Sequence, residues 1–528
     1  LIIDPDDVTE IATQAILLRT TEQARMNRIA SYVRGKQDPP YTPKGADAEY
    51  RWIARKARRN FLPLVVSVIS QNLHVDGYRP SGATANQATL PQAPQPEWEA
   101  FRANRMISRQ HGVHRSVIKY GSAYTLVLPG RLSTDEEQPA DVPVIRPVSP
   151  RRMTGFYADD VDDEWPQFAI EVKSSRLPKG SFQVFVTVYD EESRYILQGT
   201  PGMFIGQNLG LQMAEPGNPL LNGQPPVSTH GLGVCPVVRF LYETDLDGEE
   251  DVNGEIEPIM PIQDQINFDT FNLMISTQFA AFRQRWVTGM SPVDESGREA
   301  APFRPGVDRV WAAEEASTKF GEFGETALAP YSSVREDGIR HMSTITQIPP
   351  YHLLGQVANL SAEALAAAKD GQDRHVDELK ANLNDSWRNT FRLTALASGD
   401  KEGWNDLFGT VLWRDTSARA FASTIDGLTK VAQMLGVPEE ELWGRIPGVT
   451  SEDVVNWRLA KQRADAQAAV QQAVAAQNAG VPVAPVAVPP GGAVAPAATT
   501  GPPSAVPPPS PPGGTPANPP RGPGGRLL

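Results

Sequence analysis

The stretch Gln347-Ile-Pro-Pro-Tyr-His-Leu-Leu-Gly-Gln-Val-Ala-Asn-Leu-Ser361 separates two helical patterns and decides how the chain is organised. Before it, residues 331–346 read as a helix. After it, Ser361-Ala-Glu-Ala-Leu opens a pattern that runs almost to Ser398. Pro349 and Pro350 stop the first helix, because proline lacks the amide donor and restricts the residue before it. Ser361 suits an N-cap, and Glu363 lies in the first turn, where the helix dipole favours an acid. The segment between them is expected to be a non-helical, apolar, flexible loop. Two long helices joined in this way are uncommon in an enzyme core and suit a protein that holds a mobile loop against something passing by.

Working outward, the second pattern places Val376, Leu379, Leu383, Trp387 and Phe391 at spacings of three and four, an apolar stripe that faces a core. Gly371 interrupts it at a cost of ~1 kcal/mol against alanine, so a kink is expected there. On the N-terminal side, residues 257–282 read as a long helix rich in Ile, Phe and Gln. The insert 283–328 is irregular or β-like, with Trp286-Val-Thr-Gly and Gly306-Val-Asp-Arg-Val-Trp. Two helices separated by such an insert can run antiparallel with the insert at their tip.

The first half alternates in type. Helices are expected over 7–35, 47–74 and 97–119, with a Gly/Ala/Gln/Pro loop over Ser81–Pro96. From Ala123-Tyr-Thr-Leu-Val-Leu128 to about residue 242 the signal is β, carried by Phe168-Ala-Ile-Glu-Val-Lys, Phe182-Gln-Val-Phe-Val-Thr-Val-Tyr and Tyr195-Ile-Leu. This is an α+β domain. Shorter helices over 417–435, 438–444 and 451–475 follow. The tail from Gln477 is Pro, Ala, Gly and Val with no charge until Arg521. It lacks the large apolar side chains that would offset chain entropy, so disorder is expected.

With 528 residues the chain can bury a sizeable core, in roughly two to four domains. A net charge of −13 excludes a basic nucleic-acid clamp as the overall design. The densest basic run, Arg51, Arg55, Lys56, Arg58 and Arg59, reads as a solvated helix face paired with acids; a nucleic-acid or subunit contact is the alternative. The single cysteine, Cys235, excludes an intrachain disulfide, fits a reducing compartment and reads as a buried structural thiol. No segment reaches the ~18 apolar residues of a membrane span, and the acidic N-terminus lacks a signal-peptide layout, so a soluble, intracellular protein is expected.

Catalytic motifs are missing: there is no phosphate-binding Gly-x-x-x-x-Gly-Lys-Ser/Thr, no His-Glu-x-x-His and no Gly-x-Ser-x-Gly. His111 and His114 share a helical face without an obvious third ligand, and read as surface or packing residues. Asp159, Asp160, Asp162, Asp163 and Glu164 could hold magnesium in principle but look like an exposed loop. The acidic stretch Asp245–Glu257 superficially resembles a calcium loop, yet its sixth position is Glu250 rather than Gly and its twelfth is Ile256 rather than Glu. No enzyme, metal or cofactor is expected.

Five pieces occur in order: Tyr120-Gly-Ser-Ala-Tyr-Thr-Leu-Val, His230-Gly-Leu-Gly-Val-Cys-Pro-Val-Val-Arg-Phe, Pro258-Ile-Met-Pro-Ile-Gln-Asp-Gln-Ile-Asn267, Phe282-Arg-Gln-Arg-Trp-Val-Thr-Gly289 and Asn359-Leu-Ser-Ala-Glu-Ala-Leu365. By these, residues from about 10 to 470 resemble the portal proteins of tailed bacteriophages, in the branch typical of long, flexible-tailed phages. The resemblance implies an α+β portal-type fold. Residues 1–256 would be a mixed α/β wing, 257–282 a stem helix, 283–328 a small α/β clip and 329–347 a second stem helix. Residues 348–360 would be a tunnel loop, 361–398 a long kinked wing helix and 399–475 a helical crown. The disordered tail, 476–528, has no counterpart.

The resemblance further implies a ring of about twelve subunits at one capsid vertex, through which double-stranded DNA enters and leaves. Implied partners are the major capsid protein, the large terminase docking on the clip, the head-completion or adaptor proteins that replace it, and a scaffold; no membrane is involved. The location would be the virion, with assembly in the host cytoplasm. Another head–tail connector or structural head protein is the alternative, although those are usually much shorter. In the loop, His352, Gln356 and Asn359 are expected to face the lumen, and Leu353, Leu354 and Val357 to pack between neighbouring subunits. A lumen lined with Lys and Arg would release counterions and grip DNA, whereas polar loop residues make weak, exchangeable contacts.

Overall fold

A computed structural model describes residues 1–478 except 46, 82–94, 133–141, 177–181, 200–209, 219–220, 222, 245–252, 282–284, 290–316, 323, 325–326, 356–361, 415–420, 447–448 and 450. Leu1–Arg463 form one compact unit; a second begins at Ala464, and its described part is helical to Asn478.

The chain opens with α1 (Val8–Val33), α2 (Ala48–Ala57), α3 (Leu62–Ser70) and β1 (Val75–Arg79), followed by α4 (Pro96–Ala103) and α5 (Met106–Tyr120). Strands β2 (Ser122–Leu128), β3 (Val144–Val148), β4 (Met153–Phe156), β5 (Phe168–Arg176), β6 (Phe182–Tyr189), β7 (Ser193–Gly199), β8 (Gln212–Met213), β9 (Val227–Thr229) and β10 (Val237–Leu241) come next. Then follow α6 (Met260–Ala281), β11 (Arg285–Thr288), β12 (Lys319–Glu322), α7 (Ala329–Ile345), α8 (Pro350–Leu354) and α9 (Ala362–Ser398). The last elements are α10 (Lys401–Trp404), β13 (Thr410–Trp413), α11 (Phe421–Leu435), α12 (Glu439–Leu442) and α13 (Ser451–Asn478).

Two long helices expected from periodicity are each broken by an asparagine whose side chain binds backbone groups elsewhere. The 47–74 pattern divides at Arg58–Phe61, where Asn60 Nδ2 donates to the carbonyls of Tyr32 and Val33, both at 3.0 Å, and so satisfies the end of α1. The 97–119 pattern divides at Asn104–Arg105. Buried Asn104 binds Ala100 O, Pro143 O and Ile145 N, and Arg105 takes a left-handed φ of 57°. Local periodicity does not reveal such side-chain competition.

An antiparallel sheet runs β4-β5-β6-β7-β8, with β9 also on β7. The first half of α1 covers it, burying Val8, Ala12 and Ala15 with Ile170, Val186, Val188 and Leu197. A second sheet, β10-β2-β3, lies under α9, and buried Thr125 and Thr390 share a hydroxyl hydrogen bond of 2.9 Å across that seam. The main core gathers around the expected α9 stripe: Val376, Leu379, Leu383, Trp387 and Phe391 are all buried. Phe101 and Phe240 meet the Trp387 indole edge-on, with ring centroids 5.6 and 4.8 Å away. Helix α9 passes through Gly371 without interruption of its hydrogen bonding. Cys235 is a buried free thiol near Tyr189 O, and desolvation pushes its pKa up, so it packs as an apolar side chain.

Candidate functional site

Helices α6 and α7 approach each other closely at Gly338. A Cβ built there would meet Ile266 Cγ1 at 3.1 Å, so the absent side chain sets the approach. Ile339 and Met342 join Met260 and Ile266 in the buried layer. Two buried amides of α6 clamp the α2–α3 corner. Phe61 N–H donates to Gln263 Oε1 at 2.9 Å and Gln263 Nε2 donates to Arg59 O at 2.9 Å, while Arg59 N–H reaches Asn267 Oδ1 at 2.8 Å. One turn further on, Phe271 packs on Ile53, Ala54 and Ala57 of α2. Beyond α6, strands β11 and β12 pair antiparallel, with the Trp286 indole lying so close over Gly321 that any Cβ there would clash.

The corner after α7 departs from the expected loop. Helix α7 ends at Ile345; Gln347, two residues on, holds a left-handed φ of 52°, and Ser343 Oγ donates back to Ile348 O at 2.5 Å. Pro349 and Pro350 then start a helical turn, α8, instead of only stopping a helix. Pro350 occupies a first-turn position, where no amide partner is needed. His352, Leu353 and Leu354 therefore lie on a helix. His352 is exposed, with its ring 4.5 Å from that of Tyr351. Partial burial and the nearby Lys369 ammonium lower its pKa, so the imidazole is neutral at neutral pH. Leu353 is buried in the chain's own main core and Leu354, partly buried, packs against that core. Gly355, at φ 67°, closes α8. Gln356, Val357, Asn359 and the N-cap residue Ser361 lie outside the described residues, as does the tail beyond Asn478.

Where α9 crosses the first half of the chain, Tyr242 Oη donates to Glu255 Oε2, and His375 Nε2 lies 3.0 Å from the phenol oxygen and 3.4 Å from Glu255 Oε2. The hydrogen bond to Glu255 raises the pKa of His375 against the effect of burial. Gly254 is fixed beside this group, since a Cβ there would fall 2.7 Å from Gly121 N and Ile118 O. Glu257 pairs with Arg25 at 2.6 Å. Two acids of the Asp245–Glu257 stretch, Glu255 and Glu257, thus bind partners within the chain, Tyr242, His375 and Arg25. Residues 245–252 lie outside the described residues.

The other candidates resolve as structural. His114 is fully buried and receives the Trp387 indole N–H, while the His111 ring lies tilted by 38° against that of His74, centroids 5.3 Å apart. In the acidic loop, Asp160 pairs with Arg239 at 2.7 Å and Glu164 with Arg392 at 2.6 Å. Among the described residues no group of three or more His, Cys, Asp or Glu is arranged to hold a metal, and no helix is long and apolar enough to cross a membrane. Among the described residues no acid pairs with the basic run Arg51, Arg55, Lys56, Arg58 and Arg59. Arg58 and Arg59 donate to the carbonyls of Gln37 and Lys56, and Lys56 lies over the exposed Trp52 ring.

Two packed helices braced by buried amides, with a strand pair between them, thus lead through a sharp corner into a 37-residue helix. The family model described as phage portal protein, SPP1 Gp6-like, matches residues 19–469, and the chain belongs to that family. The portal protein of Mycobacterium phage D29 is 23% identical over 379 residues, covering 70% of this chain and 71% of the relative. That of Mycobacterium phage L5 is 25% identical over 210 residues, covering 38% of this chain and 43% of the relative. As in the family, the chain is a structural subunit of a ring at a capsid vertex, and the ring's channel carries DNA during packaging and ejection.

Proposed function

We propose that α6 and α7 form the stem of the portal ring, residues 283–328 with the β11–β12 pair its clip, and residues 1–256 its wing. In this reading residues 348–360 form the constriction, 361–398 the helix behind it and 399–475 the crown. The observation that carries it is the α6–α7 hairpin with a strand pair between its arms, leading directly into the Gln347–Gly355 corner. The constriction is then a helical turn continued by residues 356–360. His352 faces the lumen as a neutral, exposed imidazole that touches phosphate without gripping it. Gln356 and Asn359 continue that polar face, and Val357 is left to pack between neighbours. Leu353 and Leu354 instead anchor the turn to its own subunit.

The ring holds about twelve copies, docks the large terminase on its clip and later binds head-completion proteins. It contacts the major capsid protein and a scaffold, and it assembles in the host cytoplasm. Electron microscopy with mass measurement tests the first part. A hollow ring near twelve times 57.5 kDa is expected, and a monomer would sink the reading. Deletion of residues 351–359, or His352→Glu, tests the second. Loss of full-length DNA packaging from assembled rings is expected, and wild-type packaging by the deletion would remove the segment from the mechanism.

A further inference from the structure

A cleft of about 1120 Å³ opens between the second half of α1 and the β5–β6 side of the sheet. Among the described residues four cations line it, Arg19, Arg151, Arg152 and Lys173, and no carboxylate does. Glu171, behind the wall and 1% exposed, pairs with Arg146, Arg152 and Lys173 at 2.5, 3.0 and 3.1 Å, so one acid already serves three cations. Arg19 and Arg151 have no carboxylate in ion-pair range among the described residues. Arg19 is only 9% exposed, and its buried Nε has no hydrogen-bond partner among the described residues. Its Nη2 reaches Pro150 O at 3.4 Å, and desolvation lowers its pKa to about 10. Arg151 Nε is likewise buried and unpartnered, while its Nη2 donates to Asn27 Oδ1 at 2.7 Å. Buried charge without a counter-ion is costly, and a ligand that supplies one removes the cost.

The same cleft holds an open sheet edge. Strand β4 pairs with β5 only along Phe168–Glu171, and Val172 N–H adds one bond to Arg152 O at 2.7 Å. Strand β5 continues to Arg176, paired among the described residues with β6 alone. Alternation along an antiparallel strand turns the N–H and C=O of exposed Ser174 to the same side as those of Val172. Leu17, 43% exposed, and Val184 supply apolar wall.

We propose that this cleft binds an extended acidic peptide segment of a partner protein. The segment would add as a strand beside β5, with carboxylates on Arg19 and Arg151. A nucleic-acid backbone would use the cations but not the strand edge or the apolar wall. The proposal is independent of the channel reading.

The test uses the full-length assembled protein and a short fluorescein-labelled peptide of alternating glutamate and valine, followed by anisotropy. Binding is expected to weaken with salt. Arg151→Glu, which changes a partly exposed side chain, is expected to reduce affinity roughly tenfold or more, while Arg109→Glu on α5 leaves it unchanged. Arg19→Met should act like Arg151→Glu, and near-UV circular dichroism identifies a variant that fails to fold. Equal affinity in folded Arg151→Glu and the parent overturns the proposal. So does displacement of the peptide by inorganic phosphate, or by a single-stranded oligodeoxynucleotide at lower concentration than by unlabelled peptide, which would assign an ion or nucleic-acid site instead.

Discussion

The indole Nε1–H of Trp387 donates to Nε2 of His114 across 3.1 Å, although 273 residues separate them. His114 Nδ1–H donates in turn to Leu73 O at 3.2 Å, so α9, α5 and the segment between α3 and β1 are joined through one imidazole. Full burial lowers the pKa of His114 from 6.5 to about 3, and the ring stays neutral in the fold. The unfolded chain therefore binds a proton that the native one refuses. Stability should fall as pH drops from about 6.5 toward 3, by up to ~1.4 kcal/mol per pH unit from this group. Urea denaturation across that window should show the slope, and His114→Gln should flatten it. Trp387→Phe leaves Nε2 without its donor and should cost ~1–3 kcal/mol.

His375 should behave with the opposite sign. Its pKa is raised by Glu255, so its contribution is complete below the unfolded value of 6.5 and is lost as pH rises through the higher folded value. Amide exchange around Tyr242 and α9 should accelerate over that rise. NMR titration of His375 should give a midpoint above 6.5, and Glu255→Gln should lower it.

The close approach at Gly338 separates two substitutions. Alanine gains ~1 kcal/mol of helix propensity but needs Ile266 Cγ1 to yield a few tenths of an ångström, so Gly338→Ala should be near neutral. Gly338→Leu must part α6 from α7 and should cost ~1–3 kcal/mol by thermal unfolding. Its effect on ring assembly, read by sedimentation, should exceed its effect on the monomer.

Glu171→Gln leaves Arg146, Arg152 and Lys173 without their shared acid. Removing one partner of a fully buried pair costs ~3–5 kcal/mol; here the cations are partly exposed and solvent moderates the loss to about 2–3 kcal/mol. Replacing Arg146 with Met in the same chain should recover part of it, as guanidinium chloride midpoints would show.

Much of this was legible in residue order. The α9 stripe, the α6 and α7 helices and the β-rich run from Ala123 to about residue 242 follow from periodicity, because each element's packing face repeats locally. Strand β1 was missed, since Val75-Asp-Gly-Tyr-Arg has no alternation of its own and is a strand only through Thr410–Trp413. The Gln347–Gly355 corner was located but misread. A proline that ends one helix can begin the next, and only the left-handed Gln347 distinguishes the two outcomes. His352 stands exposed on the corner, whereas Leu353 has the apolar character of an interface residue and is buried in its own subunit. The basic cleft was invisible in sequence because Arg19, Arg151 and Lys173 come from separate elements.

Strand β1 pairs with β13, Val75 opposite Trp413 and Tyr78 opposite Val411. During synthesis β1 therefore leaves the ribosome long before its partner exists, and its edge stays open while α9 is still being made. The subunit is finished only when the chain has passed Trp413. Pairing between incomplete chains is the competing outcome for such an edge. Closure of this short ribbon thus waits until translation has passed Trp413.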